Sequence, residues 1–358
     1  MNLFRKSKLL GEAGRFDSCG PKSCESKIKN GLSGLFRSPS ENKNCVMLKT
    51  LMTNKCCFDC KYCPNSSRSI NKESVSFSSD ELLRVFEDSR RVGVNSLFLS
   101  SGIPSSSDKV MEDMLEGVEK IRKKFSGYVH LKIMPGTPFE FVKRAASVAD
   151  RLSVNIESPN SSSLGEVSDC KDFKIDILRR QAWIKRLGKS QSTQMIVRSD
   201  DSDKNILKMA NWEYKNLGLK RVYYSSFSPV KGTLMENDVC VSKKREAFLY
   251  KSDFLLRDYN FDLNDLFNVL EDDMLPSVDP KIMIAKNYFS NRLDVCEASE
   301  FDLLRVPGIG PVTARRVFFN QGKVKNFKDL KRLGVNISRA SPFISIKDKK
   351  QLCLDSFS

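Results

Sequence analysis

RLSVNIES, residues 151–158, places Leu152, Val154 and Ile156 on one parity and Ser153, Asn155 and Glu157 on the other. Such alternation reads as a β-strand with one apolar and one polar face. Upstream, YVHLKIMPG (128–136) repeats it, with Val129, Leu131 and Ile133 against His130 and Lys132. Strand-like stretches at 45–54, 95–102, 191–199 and 220–229 bring the strands to six, and helical patterns at 78–93, 108–125, 137–150, 173–188 and 203–218 separate them. Regular β/α alternation predicts right-handed βαβ units and a parallel sheet. In a doubly wound sheet helices cover both faces, so both are apolar. The polar parity here predicts instead an α/β partial barrel curled around a lumen that holds a ligand, with Gln191, Ser192 and Gln194 as further candidates for its wall. Ser78 with Glu81 reads as a capping box, and Thr137, Pro138 and Glu140 fall in the N-cap, N1 and N3 places of the next helix.

The chain has 358 residues, enough for a core domain and a smaller module. Residues 1–44, rich in Ser, Lys, Gly and Asn, read as a loop or arm; 45–230 as the barrel; 231–289 as a helical extension and linker; and 290–358 as a terminal module. Hydrophobic residues make up 40%, which allows a buried core, and no apolar run is long enough for a membrane span or signal peptide. A cytoplasmic protein with no membrane partner is expected. Sixty Lys plus Arg against 44 Asp plus Glu gives +16, which favours a polyanionic partner over an acidic small molecule; a basic solvated surface is the plainer explanation. Eleven cysteines without a secretory segment argue against a disulfide framework. Cys19 and Cys24 are expected to sit loose in the N-terminal arm.

TNKCCFDCKYCPN (53–65) places four cysteines in eight positions after the first strand. Cys56, Cys60 and Cys63 give C-x3-C-x2-C, with Tyr62 before the last. Three thiolates hold three irons of a 4Fe-4S cube and leave the fourth iron open for chemistry. Structural zinc wants four ligands, commonly as two pairs, and no second pair follows; the one histidine, His130, is distant. Cys57, adjacent to Cys56, is poorly placed to serve the same cube. Buried thiols without metal remain the third reading.

This spacing resembles the signature of the radical SAM superfamily, C-x3-C-x-aromatic-C on the loop after the first strand of a partial (β/α)6 barrel. The resemblance implies that Cys56, Cys60 and Cys63 hold a 4Fe-4S cluster and that S-adenosylmethionine binds its open iron. Reductive cleavage would then give a 5′-deoxyadenosyl radical, with the electron coming from a donor such as a flavodoxin or ferredoxin. It also implies that Ser100, Ser101 and Gly102 of SSGIP stand where the family binds the methionine amine, and Ser153, Asn155 and Glu157 where it binds the ribose. An ion pair of Glu157 with a barrel lysine such as Lys132 is the structural alternative.

LLRVPGIGPVTARRV (303–317) reads as helix, tight turn and helix, and resembles the helix-hairpin-helix element that grips nucleic-acid backbones. Pro307, Gly308, Ile309 and Gly310 would aim amides at a phosphate, with Arg315 and Arg316 adding charge, and Val306 and Ile309 would plug the core. A side chain at Gly308 or Gly310 would block that approach. From Pro276 onward there are 15 Lys plus Arg and 8 Asp plus Glu. A hairpin used for packing or protein contact is the alternative. Over residues 9–344 the chain resembles the family of DNA modification or repair radical SAM proteins, which implies an all-α helix-hairpin-helix module after the barrel and radical chemistry on nucleic acid, DNA above all. Radical chemistry on RNA or protein, or a non-catalytic iron-sulfur binder of nucleic acid, are the other readings.

Overall fold

The computed structural model describes residues 1–17, 26–27, 35–38, 45–70 and 73–346; Cys19 and Cys24 lie outside them. In chain order the elements are α1 (Leu3–Ala13), β1 (Ser26–Lys27), β2 (Leu35–Ser38), β3 (Cys45–Leu51), α2 (Ser79–Arg91), β4 (Ser96–Ser100), α3 (Ser107–Arg122), β5 (Tyr128–Lys132), α4 (Phe139–Val148), β6 (Arg151–Ser153), α5 (Ser161–Val167), α6 (Arg179–Arg186), β7 (Ser190–Val197), α7 (Asp203–Trp212) and β8 (Arg221–Ser226). Then come α8 (Lys243–Arg257), α9 (Leu263–Phe267), α10 (Pro280–Tyr288), β9 (Leu293–Asp294), α11 (Glu300–Arg305), α12 (Pro311–Phe319), α13 (Phe327–Arg332), α14 (Ile337–Ala340) and β10 (Ile344–Ser345).

Strands β3 to β8 pair in sequence order and in parallel. Leu51 of β3, Ser100 of β4, Lys132 of β5, Gln194 of β7 and Ser225 of β8 all line one cavity, so the sheet curls around it. The opposite parity, including Leu97, Leu99, Leu131, Leu152 and Val222, is fully buried. The helix starts follow local chemistry. Ser78 and Glu81 form the expected capping box of α2. The start of α4 differs by one residue: Pro138 is the N-cap, and the Thr137 hydroxyl donates to the Met134 carbonyl instead of capping.

The N-terminal region departs from the loop expected of it. α1 is a helix whose Lys6 pairs with Glu81 at 2.8 Å, and β2 extends the sheet antiparallel to β3. Asp17, just beyond α1, enters the lumen and pairs with Lys132. α5 is a further helix, absent from the alternating pattern, that follows β6 with Asn160 as its cap.

Behind the sheet lies a buried polar cluster. Gln191 points outward, not into the lumen: its Nε2 donates to the carbonyls of Gln181 and Leu217. Gln181 Nε2 donates to Glu213 Oε1 at 2.8 Å, and Glu213 is fully buried. Burial pushes the Glu213 pKa up to about 8 from 4.5. A raised folded-state pKa contributes stability that is complete below the unfolded value and is lost as pH rises through the folded one. Between pH 5 and 9 the wild-type unfolding free energy is therefore expected to fall more than that of Glu213→Gln, with a differential on the order of a few kcal/mol. Parallel curves would contradict a protonated Glu213.

The chain divides into two compact units, one of residues 1–201 and 212–242 and one of 202–211 and 243–358. In the second, buried Asp203 accepts from Arg245 Nε at 2.9 Å and from the Leu275 amide at 2.8 Å, tying the start of α7 to the α8 region. The apolar side chains of Leu303, Val306, Ile309, Ala314, Val317 and Leu330 form one buried core around the α11–α12 hairpin. The terminal module, expected to be all-helical, also contains a two-residue parallel ladder between β9 and β10.

Candidate functional site

The cysteine loop leaves β3 and lies over the end of β4. Met52 N–H donates to the Ser100 carbonyl at 2.8 Å, Gly102 N–H to Thr53 at 2.7 Å, and Cys57 N–H to Ile103 at 2.7 Å. A Cβ on Gly102 would collide with the Lys55 carbonyl oxygen, so glycine is what lets the loop come down on the strand end. Cys56, Cys60 and Cys63 all line a cavity of about 1120 Å³ at the C-terminal end of the sheet. Cys57 does not: it is exposed, and its sulfur lies 3.7 Å from the Ser105 carbonyl oxygen. Among the described residues no three His, Cys, Asp or Glu side chains are gathered for a single metal ion. A mononuclear site needs sulfurs roughly 4 Å apart, whereas a cube takes one thiolate per iron corner.

Segment 167–171 crosses this loop. Lys61 N–H donates to the Val167 carbonyl at 2.9 Å, and the Asp59 carboxylate accepts from the Ser168 hydroxyl at 2.7 Å and the Asp169 amide at 3.0 Å. Burial opposes ionisation of Asp59, but the bonds from Ser168, Asp169 and Cys170 hold its pKa below the usual carboxylate value. Lys171, at the end of the segment, pairs with Glu157 Oε1 at 3.2 Å and lines the same cavity as Cys60. Burial works against its ammonium, and the Cys60 and Glu157 charges more than offset that, so its pKa is raised. Burial, then the Cys60 charge, pushes the Cys63 thiol up to about 12. Tyr62 is raised too, by burial and by its hydrogen-bonded neighbour Glu157.

Of the residues expected around a ligand, Tyr62, Ser100, Ser101, Gly102, Asn155 and Glu157 line the same cavity as the three thiols. Ser153 does not. Its Oγ lies 2.9 Å from His130 Nε2, deeper between the strands, where Phe98 packs edge-on against the His130 ring at 4.7 Å. Burial keeps this histidine neutral, with its pKa pushed down to about 3. The expected ion pair of Glu157 with a lysine is present, with Lys171 as the partner in place of Lys132, which binds Asp17. Sequence reading missed Asp59, Lys171 and Asp17. A signal for the first two lay in Asn160, Leu164 and Val167, the cap and apolar face of α5, which delivers the crossing segment.

In the second unit, α11 and α12 flank the turn Pro307-Gly308-Ile309-Gly310. Gly308 has φ +89°, and a Cβ there would stand 2.6 Å from the Asn336 carbonyl oxygen. A Cβ on Gly310 would meet the Tyr259 hydroxyl at 3.3 Å. Both glycines thus serve close packing inside the unit. Lys281 donates to the Ile309 carbonyl at 2.5 Å. α12 starts at Gly310 with no side-chain cap, and Arg315 and Arg316 are exposed along it. Val306 and Ile309 are buried as core plugs.

Residues 50–212 match the family model described as the Radical SAM superfamily. Over these residues the barrel matches a radical SAM domain. Enzymes of this superfamily work with a 4Fe-4S cluster and S-adenosylmethionine. Among solved structures, the FeFe-hydrogenase maturase HydG from Carboxydothermus hydrogenoformans is 16% identical, covering 57% of this chain and 50% of its own, with a TM-score of 0.51. Methylornithine synthase (PylB) is 13% identical over 57% of this chain and 60% of its own, with a TM-score of 0.49. SuiB from Streptococcus suis, bound to S-adenosylmethionine, is 12% identical over 58% and 47%, with a TM-score of 0.48. The chain thus spans about half the length of the first of these. No curated protein matches the chain. The residues of the radical SAM domain fit its cofactors. Three thiols face one cavity, and at the end of β4 the buried Ser101 hydroxyl has no hydrogen-bond partner among the described residues, an orphan that a bound amine or carboxylate would satisfy. Among the described residues no helix is long and apolar enough to cross a membrane.

Proposed function

We propose that the radical SAM domain holds its cluster through Cys56, Cys60 and Cys63 and directs its chemistry at nucleic acid, DNA above all, which the α11–α12 hairpin contacts through the phosphate backbone. The convergence of the three thiols on one cavity, with Cys57 turned away, carries the first half. When bound, the cluster and S-adenosylmethionine supply a 5′-deoxyadenosyl radical that abstracts hydrogen from the substrate. Ser100, Ser101 and Gly102 at the end of β4 would receive the methionine end, and Asn155, Glu157 and Tyr62 the remainder. Phe16, Phe58 and Phe227 on the cavity wall exclude water from the reacting atoms. Reducing equivalents would come from a flavodoxin or ferredoxin.

The second half rests on α12. Its uncapped N-terminus and exposed Arg315 and Arg316 suit a phosphate, which needs amide donors and cations rather than base-reading side chains. A hairpin of this form that merely packs would have no need of the cationic surplus, 15 Lys plus Arg against 8 Asp plus Glu from Pro276 onward. The deciding experiment is hydrogen transfer from deuterated DNA into 5′-deoxyadenosine: label in the product supports the reading, and unlabelled product made at the same rate with and without DNA removes the nucleic-acid half.

A further inference from the structure

Segment 167–171 is tied to the cysteine loop through the Lys61 amide on the Val167 carbonyl and through Asp59 on Ser168 and Asp169. Its terminal side chain, Lys171, is 5% exposed; its ammonium pairs with Glu157 Oε1 at 3.2 Å, and the residue lines the same cavity as Cys60. Glu157 has φ +65°, a left-handed conformation that a non-glycine residue holds only when its surroundings impose it. Here it is imposed by the sheet: the Glu157 amide donates to Gln194 at 3.0 Å and its carbonyl accepts from Ile196 at 2.8 Å. That backbone aims the carboxylate at Lys171 and Tyr62.

We infer that Lys171 is a positioning residue for the cluster, a buried cation on the cavity wall of Cys60 that raises the cluster's reduction potential, with Glu157 setting how much of that charge the cluster feels. This rests on Cys60 being a ligand. Reduction adds one negative charge to the cluster, and a buried cation beside it stabilises the reduced form more than the oxidised one. The effect is large here because buried charges are weakly screened. Removing the cation favours the oxidised cluster. Removing the Glu157 charge releases the ammonium toward the sulfur and favours the reduced one.

The test is a dithionite titration of anaerobically reconstituted full-length protein without S-adenosylmethionine, read by electron paramagnetic resonance of the reduced cluster. Lys171→Met is expected to lower the reduced-to-oxidised ratio at fixed potential by about tenfold or more, a midpoint about 59 mV more negative for one electron. Lys171→Arg stays near wild type, and Glu157→Gln moves the midpoint in the positive direction. Lys171→Met with full iron content and an unchanged midpoint overturns the inference. Should Lys171→Met fail to load iron, Glu157→Gln decides: a positive shift supports it, and no shift or a negative one overturns it. Iron content of Cys60→Ala separates the two levels. If Cys60→Ala keeps a whole cluster, the ligand assignment falls and this inference with it; an insensitive midpoint with Cys60 established as ligand removes the inference alone.

Discussion

Alanine at Cys56, at Cys60 or at Cys63 is expected to take anaerobically isolated protein from about four irons per chain to fewer than about one, with loss of the broad iron-sulfur absorbance. Alanine at Cys57 leaves both unchanged. The expectation follows from direction as well as spacing, since the three thiols share a cavity wall and the Cys57 sulfur faces the Ser105 carbonyl. Two remaining thiolates cannot anchor a cube against exchange, whereas an exposed cysteine outside the cavity contributes nothing to it. Iron and sulfide analysis beside the absorbance spectrum checks all four variants. Cluster loss in Cys57→Ala with retention in Cys56→Ala would mean that the register is shifted by one.

Charge reversal of Arg315 and Arg316 together is expected to weaken binding to a DNA duplex on the order of tenfold to a hundredfold near 0.1 M salt. Each phosphate contact removed lowers the slope of log affinity against log salt by about 0.9, so the pair lowers it by about 1.8. The loss should be alike for unrelated sequences, because backbone contacts carry no base information. Both side chains are exposed, and Arg315 has only a 3.6 Å contact with Glu300, so the variant should fold. Equal affinity and equal slope for folded variant and wild type would make the hairpin a packing element. Substitution at Gly308 is a poorer probe than the sequence suggested, because its space is already filled by Asn336 and Arg339.

Strand parity was readable because period-2 alternation reports which face a side chain takes. It assigned Asn155 and Glu157 to the cavity wall, as found. It could not report height along the strand, and Ser153, on the correct face, sits lower against His130. On β7 polar residues occupy both parities, so alternation held no information there and Gln191 was taken for a wall residue. α1 was hidden for another reason: its buried face is Ser7, Leu10 and Gly11, small residues that give little apolar signal. The Asp59 and Lys171 contacts join positions more than a hundred residues apart in one case and depend on a short helix whose cap, Asn160, and apolar pair, Leu164 and Val167, signal the helix but not the loop it packs on.

The central claim, radical chemistry on nucleic acid, is tested most directly by isotope. Reduced, cluster-replete protein is incubated with S-adenosylmethionine and DNA deuterated at its carbon-bound positions, and the 5′-deoxyadenosine is analysed by mass spectrometry. The account predicts 5′-deoxyadenosine carrying deuterium, formed faster with DNA than without and absent in Cys60→Ala. Product without deuterium, at a rate indifferent to DNA, would contradict it.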